Sequence, residues 1–167
     1  MQNNQPLSNK EKEKMFGCFK YSVLENGRIK ILGRWQKDNI IKVFLPELKG
    51  IKGAPKDLKI YFHRSASLQL VSLFKEIGNI GLTKYILTWD GSYVPRMIRG
   101  GKNLSSHAYG MAFDINANWN NLGAIPSGER DIGTVRPLIG LAEKYGFFWG
   151  GNFTRPDGMH FEISKLI

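Results

Sequence analysis

The sequence predicts an α+β fold in which a small antiparallel sheet carries helices packed on one side. Three observations predict it. Apolar and polar residues alternate through positions 111–116 and again through 159–163, the two-residue period of a strand with one buried face. Two longer stretches, 65–77 and 135–145, instead space their apolar residues as amphipathic helices do. No internal repeat or low-complexity tract interrupts them, and 167 residues suit one domain whose core needs no disulfide.

Taken in order, residues 1–14 are charged and nearly free of apolar periodicity, which reads as a flexible or weakly helical N-terminal tail. Residues 15–167 then read as a single domain, of which 15–56 is a β-rich N-terminal extension. Its β-like runs are 18–24, 28–35 and 40–45, and Glu25-Asn26-Gly27 is a hairpin turn. Positions 49–57, rich in Gly, Pro and Lys, are a loop. The helix over 65–77 places Leu68, Leu70, Val71, Phe74 and Ile77 inward and starts at a cap, Ser65 or Ser67. A short strand over 84–89 leads to a loop around Arg96. The helix over 135–145 has Thr134 as cap, Pro137 in its first turn and Gly146 just past its end. His63, without a partner at metal spacing, reads as a helix-start or surface residue. An extension of about 45 residues falls below the size at which a domain is stable alone. It is therefore expected to cover the sheet and shape a cleft.

Charge and cysteine content narrow the classes. Twenty-four Lys and Arg against 14 Asp and Glu leave a formal charge of +10, which favours an anionic polymer as partner. The positive residues are dispersed, so a dedicated nucleic-acid patch is not indicated. The single cysteine, Cys18, lies between Phe16 and Phe19 and reads as a buried thiol, unable to form an internal disulfide. Residues 1–14 lack the apolar core of a secretion signal, and no 18-residue apolar run occurs, so neither a signal peptide nor a membrane span is expected.

The chemistry is concentrated in two segments. Ser106-His107-Ala108-Tyr109-Gly110-Met111-Ala112-Phe113-Asp114 is answered downstream by Asp157-Gly158-Met159-His160-Phe161-Glu162. Alternation turns Met111, Phe113 and Ile115 to one face and Asp114 to the other. It likewise separates Met159, Phe161 and Ile163 from His160 and Glu162. Two such strands side by side would share a metal ion. Hydrolytic zinc takes two or three His or carboxylate ligands, an open position and a nearby base. His107, Asp114 and His160 are the candidate ligands, and Asp157 the candidate base. Gly110 and Ala112 are small enough to leave room for backbone and substrate. Ser106 and Glu162 flank the ligands and are candidates to orient the imidazoles through their second nitrogens. Trp149, before Gly150-Gly151, either lines the cleft and stacks on substrate or belongs to the core.

Ser-x-His-x-x-Gly-x-Ala-x-Asp followed by acid-x-x-His resembles the D-alanyl-D-alanine carboxypeptidase family of zinc peptidases. That family includes VanY-like and VanX-like enzymes and phage L-alanyl-D-glutamate endolysins. The resemblance extends to Gly91-Ser92-Tyr93-Val94-Pro95-Arg96 and to Gly146-Phe147-Phe148-Trp149-Gly150-Gly151, and covers roughly residues 60–163. It implies that His107, Asp114 and His160 hold Zn2+ and that Asp157 is the general base, where many relatives have Glu. It also implies that Arg96 contacts substrate or a developing oxyanion, with Arg99 the second choice. Arg99, Ser106 and Trp149 complete the candidate substrate contacts. The implied substrate is an amide of a peptidoglycan stem peptide. The implied agent is a monomer made in the cytoplasm and acting on the wall after release.

Simpler readings compete at several positions. Pro156-Asp157-Gly158 makes a good turn for reasons unrelated to catalysis, and Arg96 could be a solvated or paired charge. A zinc-containing binding module is the competing class, because Hedgehog signalling domains resemble these peptidases while acting through protein contacts. A metal nuclease draws support from the charge alone.

Overall fold

The computed structural model describes residues 4–167. Helix α1 (Asn9–Phe16) starts at a capping box, in which the Ser8 hydroxyl accepts from the Glu11 amide and the Glu11 carboxylate accepts from the Ser8 amide. Strands β1 (Tyr21–Val23) and β2 (Ile29–Ile31) form an antiparallel hairpin around Asn26 and Gly27, at φ 59° and 71°. A short helix α2 (Trp35–Asn39) leads into β3 (Ile40–Phe44), which pairs antiparallel with β4 (Lys59–His63). Then follow α3 (Ser67–Asn79), β5 (Trp89–Gly91), β6 (Ala112–Ile115), α4 (Arg136–Lys144), β7 (Phe147–Trp149) and β8 (His160–Ile163). The last four strands make the main sheet, in the order β5-β6-β8-β7 with every pairing antiparallel. The fold is α+β, as expected.

The core lies between this sheet and α3 with α4. Leu70, Leu73, Phe74 and Ile77 of α3 and Leu138 and Ala142 of α4 are buried together with Met111, Phe113, Ile115, Phe161 and Ile163. Phe113 is central to it. Its ring stacks on Trp89 at 5.8 Å and on Phe161 at 5.3 Å, and meets Phe74 and Phe147 edge-on. The inward face of β6 therefore anchors the strand whose outward face carries Asp114.

Several expectations are corrected. Residues 9–14, expected to be flexible or weakly helical, belong to a helix over 9–16 held down by buried Lys12 and Phe16; residues 1–3 of the expected tail lie outside the described residues. The flexible alternative failed because the exposed charges of α1 hide a docking face made by Lys12, Met15 and Phe16. Cys18 is exposed, since Phe16 and Phe19 turn inward without it. The run 28–35 ends as a strand at Ile31, Gly33 takes φ 77°, and Trp35 opens α2. Leu68 is 81% exposed, and Ala66 rather than a serine occupies the cap of α3. Residues 82–85 are a 3-10 turn, so strand structure begins only at Trp89. His63 precedes α3 as expected but is buried, its Nδ1 accepting from the Ser65 amide and its Nε2 facing the Phe16 carbonyl. The cap position of α4 falls on Val135, not Thr134, although the Thr134 hydroxyl accepts from the Arg136 amide at 3.3 Å; Gly146 has φ 74° past α4 as expected.

No helix of the described residues is long and apolar enough to cross a membrane.

Replacing Phe113 by Ala should remove the stacking partner of two rings and cost about 3–5 kcal/mol, read as a lower urea midpoint; a loss under about 1 kcal/mol would contradict this picture of the core.

Candidate metal centre and active-site cleft

His107 sits on a 3-10 turn, Ser106–Tyr109, whose first amides are capped by Ser105, with the Ser105 hydroxyl accepting from the His107 amide. Gly110 closes the turn at φ 66° and feeds β6. A Cβ there would lie 2.6 Å from Ile40 Cδ1 and 3.0 Å from the His63 amide nitrogen. Its smallness thus serves packing against β3 and β4, not substrate access. Ala112 is likewise fully buried, opposite Glu162.

Pairing of β6 with β8 sets Asp114 directly opposite His160. His107 Nε2 lies 3.1 Å from Asp114 Oδ1 and 3.1 Å from His160 Nδ1, and His160 Nδ1 lies 3.0 Å from Asp114 Oδ1. These three atoms form the one metal-type group found among the described residues. The two histidines present opposite ring nitrogens to it, and in each the remaining nitrogen is engaged. His107 Nδ1 donates to the Ser92 carbonyl, which can only accept, so its Nε2 offers a lone pair. His160 Nε2 donates to Glu162 Oε2 at 3.0 Å. Two imidazoles, each supported from behind, and a carboxylate converge on one point and could hold a metal ion, a donor set that suits zinc.

The electrostatics agree with a cation there. Burial acts to raise the Asp114 carboxyl, but the imidazoles of His107 and His160 outweigh it and hold that group far below its ordinary value. Burial acts to lower His160, but Asp114 and Glu162 overcome it and push the ring up to about 10. For Glu162, burial is outweighed by the His160 hydrogen bond and the Lys12 charge, which hold it at about 2. Asp157 behaves differently. Burial pushes its carboxyl up, Asp114 adds to the effect, and His160, His107 and Arg96 pull against it. Its Oδ1 is enclosed with no hydrogen-bond partner.

These groups face a two-limbed cleft. A limb of about 580 Å³ runs past Arg28, Asp90 and Gly91, and one of about 440 Å³ past Asp157, His160 and Phe153. Arg96, Arg99, His107 and Asp114 line both. Arg96 is half-buried, with Nη1 donating to the Met97 carbonyl; burial works against its charge, and Asp114 and Asp157 favour it. Arg99 is exposed at the rim. The β1–β2 hairpin is stitched to the Arg96 loop, with the Ile29 amide on the Pro95 carbonyl and the Met97 amide on the Gly27 carbonyl. The extension thus forms a wall of the cleft.

Of the expected substrate contacts, Trp149 lies in the core and Ser106 lines the second limb of the cleft. Trp149 is 4% exposed and belongs to the core, its indole donating to the Gly158 carbonyl at 2.8 Å while Arg136 lies over its ring. Ser106 is 4% exposed and its hydroxyl is engaged by Lys12 and Glu162, behind His160, in keeping with the orienting role expected of it and of Glu162. Sequence reasoning missed Ser92, which acts through a backbone carbonyl, and Lys12, whose charged neighbours read as a solvated face.

Residues 99–163 match the family described as D-alanyl-D-alanine carboxypeptidase. That segment, 65 of the 167 residues, holds His107, Asp114, Asp157 and His160. Arg96 and the whole N-terminal extension lie outside it. No curated protein and no solved structure matches the chain.

Because the His160 ring is pushed up to about 10, the metal-free protein holds a proton there at neutral pH that a metal must displace. Calorimetry at pH 7 in buffers of different ionisation enthalpy should therefore show about one proton released per zinc bound, the release fading as pH rises past 10; zinc binding without proton release would contradict the geometry.

Proposed function

We propose that this protein is a zinc-dependent peptidase that hydrolyses an amide bond in peptidoglycan stem peptides, with residues 15–167 acting as one domain. The observation that carries the reading is the convergence of His107, Asp114 and His160 beside Asp157, inside the segment that matches a peptidase family. A zinc ion held by His107, Asp114 and His160 would polarise the scissile carbonyl and acidify a water molecule.

The chain's own groups do the rest. Asp157, its basicity raised by burial, takes the proton of the attacking water on a carboxylate oxygen. It returns that proton to the nitrogen of the leaving amine as the carbon–nitrogen bond breaks. A carboxylate whose basicity burial has raised accepts a proton more readily than an ordinary one. Arg96, at the junction of both limbs, holds the carbonyl oxygen as charge develops or a substrate carboxylate. Arg99 at the rim supports the same recognition. The formal charge of +10 suits an anionic wall polymer.

Purified peptidoglycan digested with zinc-loaded protein should release fragments with new amino ends, read by mass spectrometry. A chelator should abolish them. Asp157→Ala should keep metal and lose turnover by at least about 100-fold, whereas His160→Ala should lose both; bound zinc without cleavage on any wall type would favour a binding module instead.

A further inference from the structure

The N-terminal helix reaches the metal-type cluster through a line of buried polar atoms. Lys12 is 6% exposed, while its neighbours Lys10, Glu11, Glu13 and Lys14 all face solvent. Its Nζ donates to Ser106 Oγ at 2.8 Å. Ser106 Oγ donates in turn to Glu162 Oε2, and that oxygen also accepts from His160 Nε2 at 3.0 Å. A buried lysine is costly unless its charge is met, and the charge it meets here is that of Glu162, itself 3% exposed.

We propose that Lys12 is a positioning residue for the metal centre, acting through Ser106 and Glu162 to fix the orientation and tautomer of His160. The inference rests on the zinc reading of the site. Its logic is the direction of donation. An ammonium group only donates, so the Ser106 hydroxyl accepts from Lys12 and turns its own proton to Glu162. A carboxylate only accepts, so Glu162 must be met by a proton on His160 Nε2. Nδ1 of the neutral ring is then left with its lone pair towards Asp114 and His107, where a cation would sit. Lys12 lies outside the segment matching the peptidase family. This support of His160 is therefore supplied by the chain's own N-terminal helix.

The test is the zinc dissociation constant, by competition with a chromophoric chelator, for wild type, Lys12→Met, Ser106→Ala, the double variant and Lys12→Arg. Lys12→Met and Ser106→Ala should each weaken zinc binding by about 10–100-fold. The double variant should be no worse than the weaker single one, because both cut the same line. Lys12→Arg, which keeps a donor-only cation, should retain most of the affinity. A Lys12→Met affinity indistinguishable from wild type, or losses that multiply in the double variant, would overturn the inference while leaving the zinc site intact. Should Lys12→Met fail to fold, nitrogen NMR of the zinc-loaded wild type decides: a His160 ring protonated at Nε2 supports the inference, and one protonated at Nδ1 overturns it. Wild-type protein that binds no zinc would overturn the reading of the site and this inference with it.

Discussion

The antiparallel pairing of β6 with β8 sets Asp114 opposite His160 on one face and Phe113 opposite Phe161 on the other. The two consequences cannot be separated, because strand side chains alternate with a period of two. A slip of one residue would bring a phenylalanine to the cleft and a carboxylate to the core. Stacking of Phe113 between Trp89 and Phe161 therefore guards the register of the site. His107 joins the pair because the turn before β6 ends at Gly110, the residue small enough to pack on β3 and β4.

Charge explains why the arrangement is worth its cost to the fold. Asp114 and Glu162 are carboxylates withdrawn from water, with His160 between them. Such groups are unfavourable unless cations or donors meet them. Glu162 is met by Lys12, Ser106 and His160. Asp114 faces two ring nitrogens, an arrangement that a divalent cation would complete. Asp157, by contrast, has an enclosed oxygen with no donor at all, and its raised basicity follows from that isolation.

The N-terminal part of the chain builds the surroundings of the site. The β1–β2 hairpin bonds to the Arg96 loop on both sides of Arg96, so the position of that guanidinium depends on residues far away in sequence. Helix α1 approaches from another direction and ends at the support of His160. The second limb of the cleft also includes Pro6 and Lys12, so the segment before α1 borders the space that a substrate would fill.

The sequence by itself determined the strand faces at 111–116 and 159–163, the hairpin turn at Asn26-Gly27, the helix at 135–145 and the three converging residues His107, Asp114 and His160. The strand faces, the turn and the helix rest on local rules that neighbouring residues satisfy, and the three metal-type residues on two segments whose alternation turns their polar faces the same way. Only the tertiary structure decided that Trp149 belongs to the core, that Cys18 is exposed and that Lys12 is buried. Those outcomes depend on which surfaces meet at long range. A lysine among exposed charges looks solvated until a serine 94 residues away accepts its hydrogen bond.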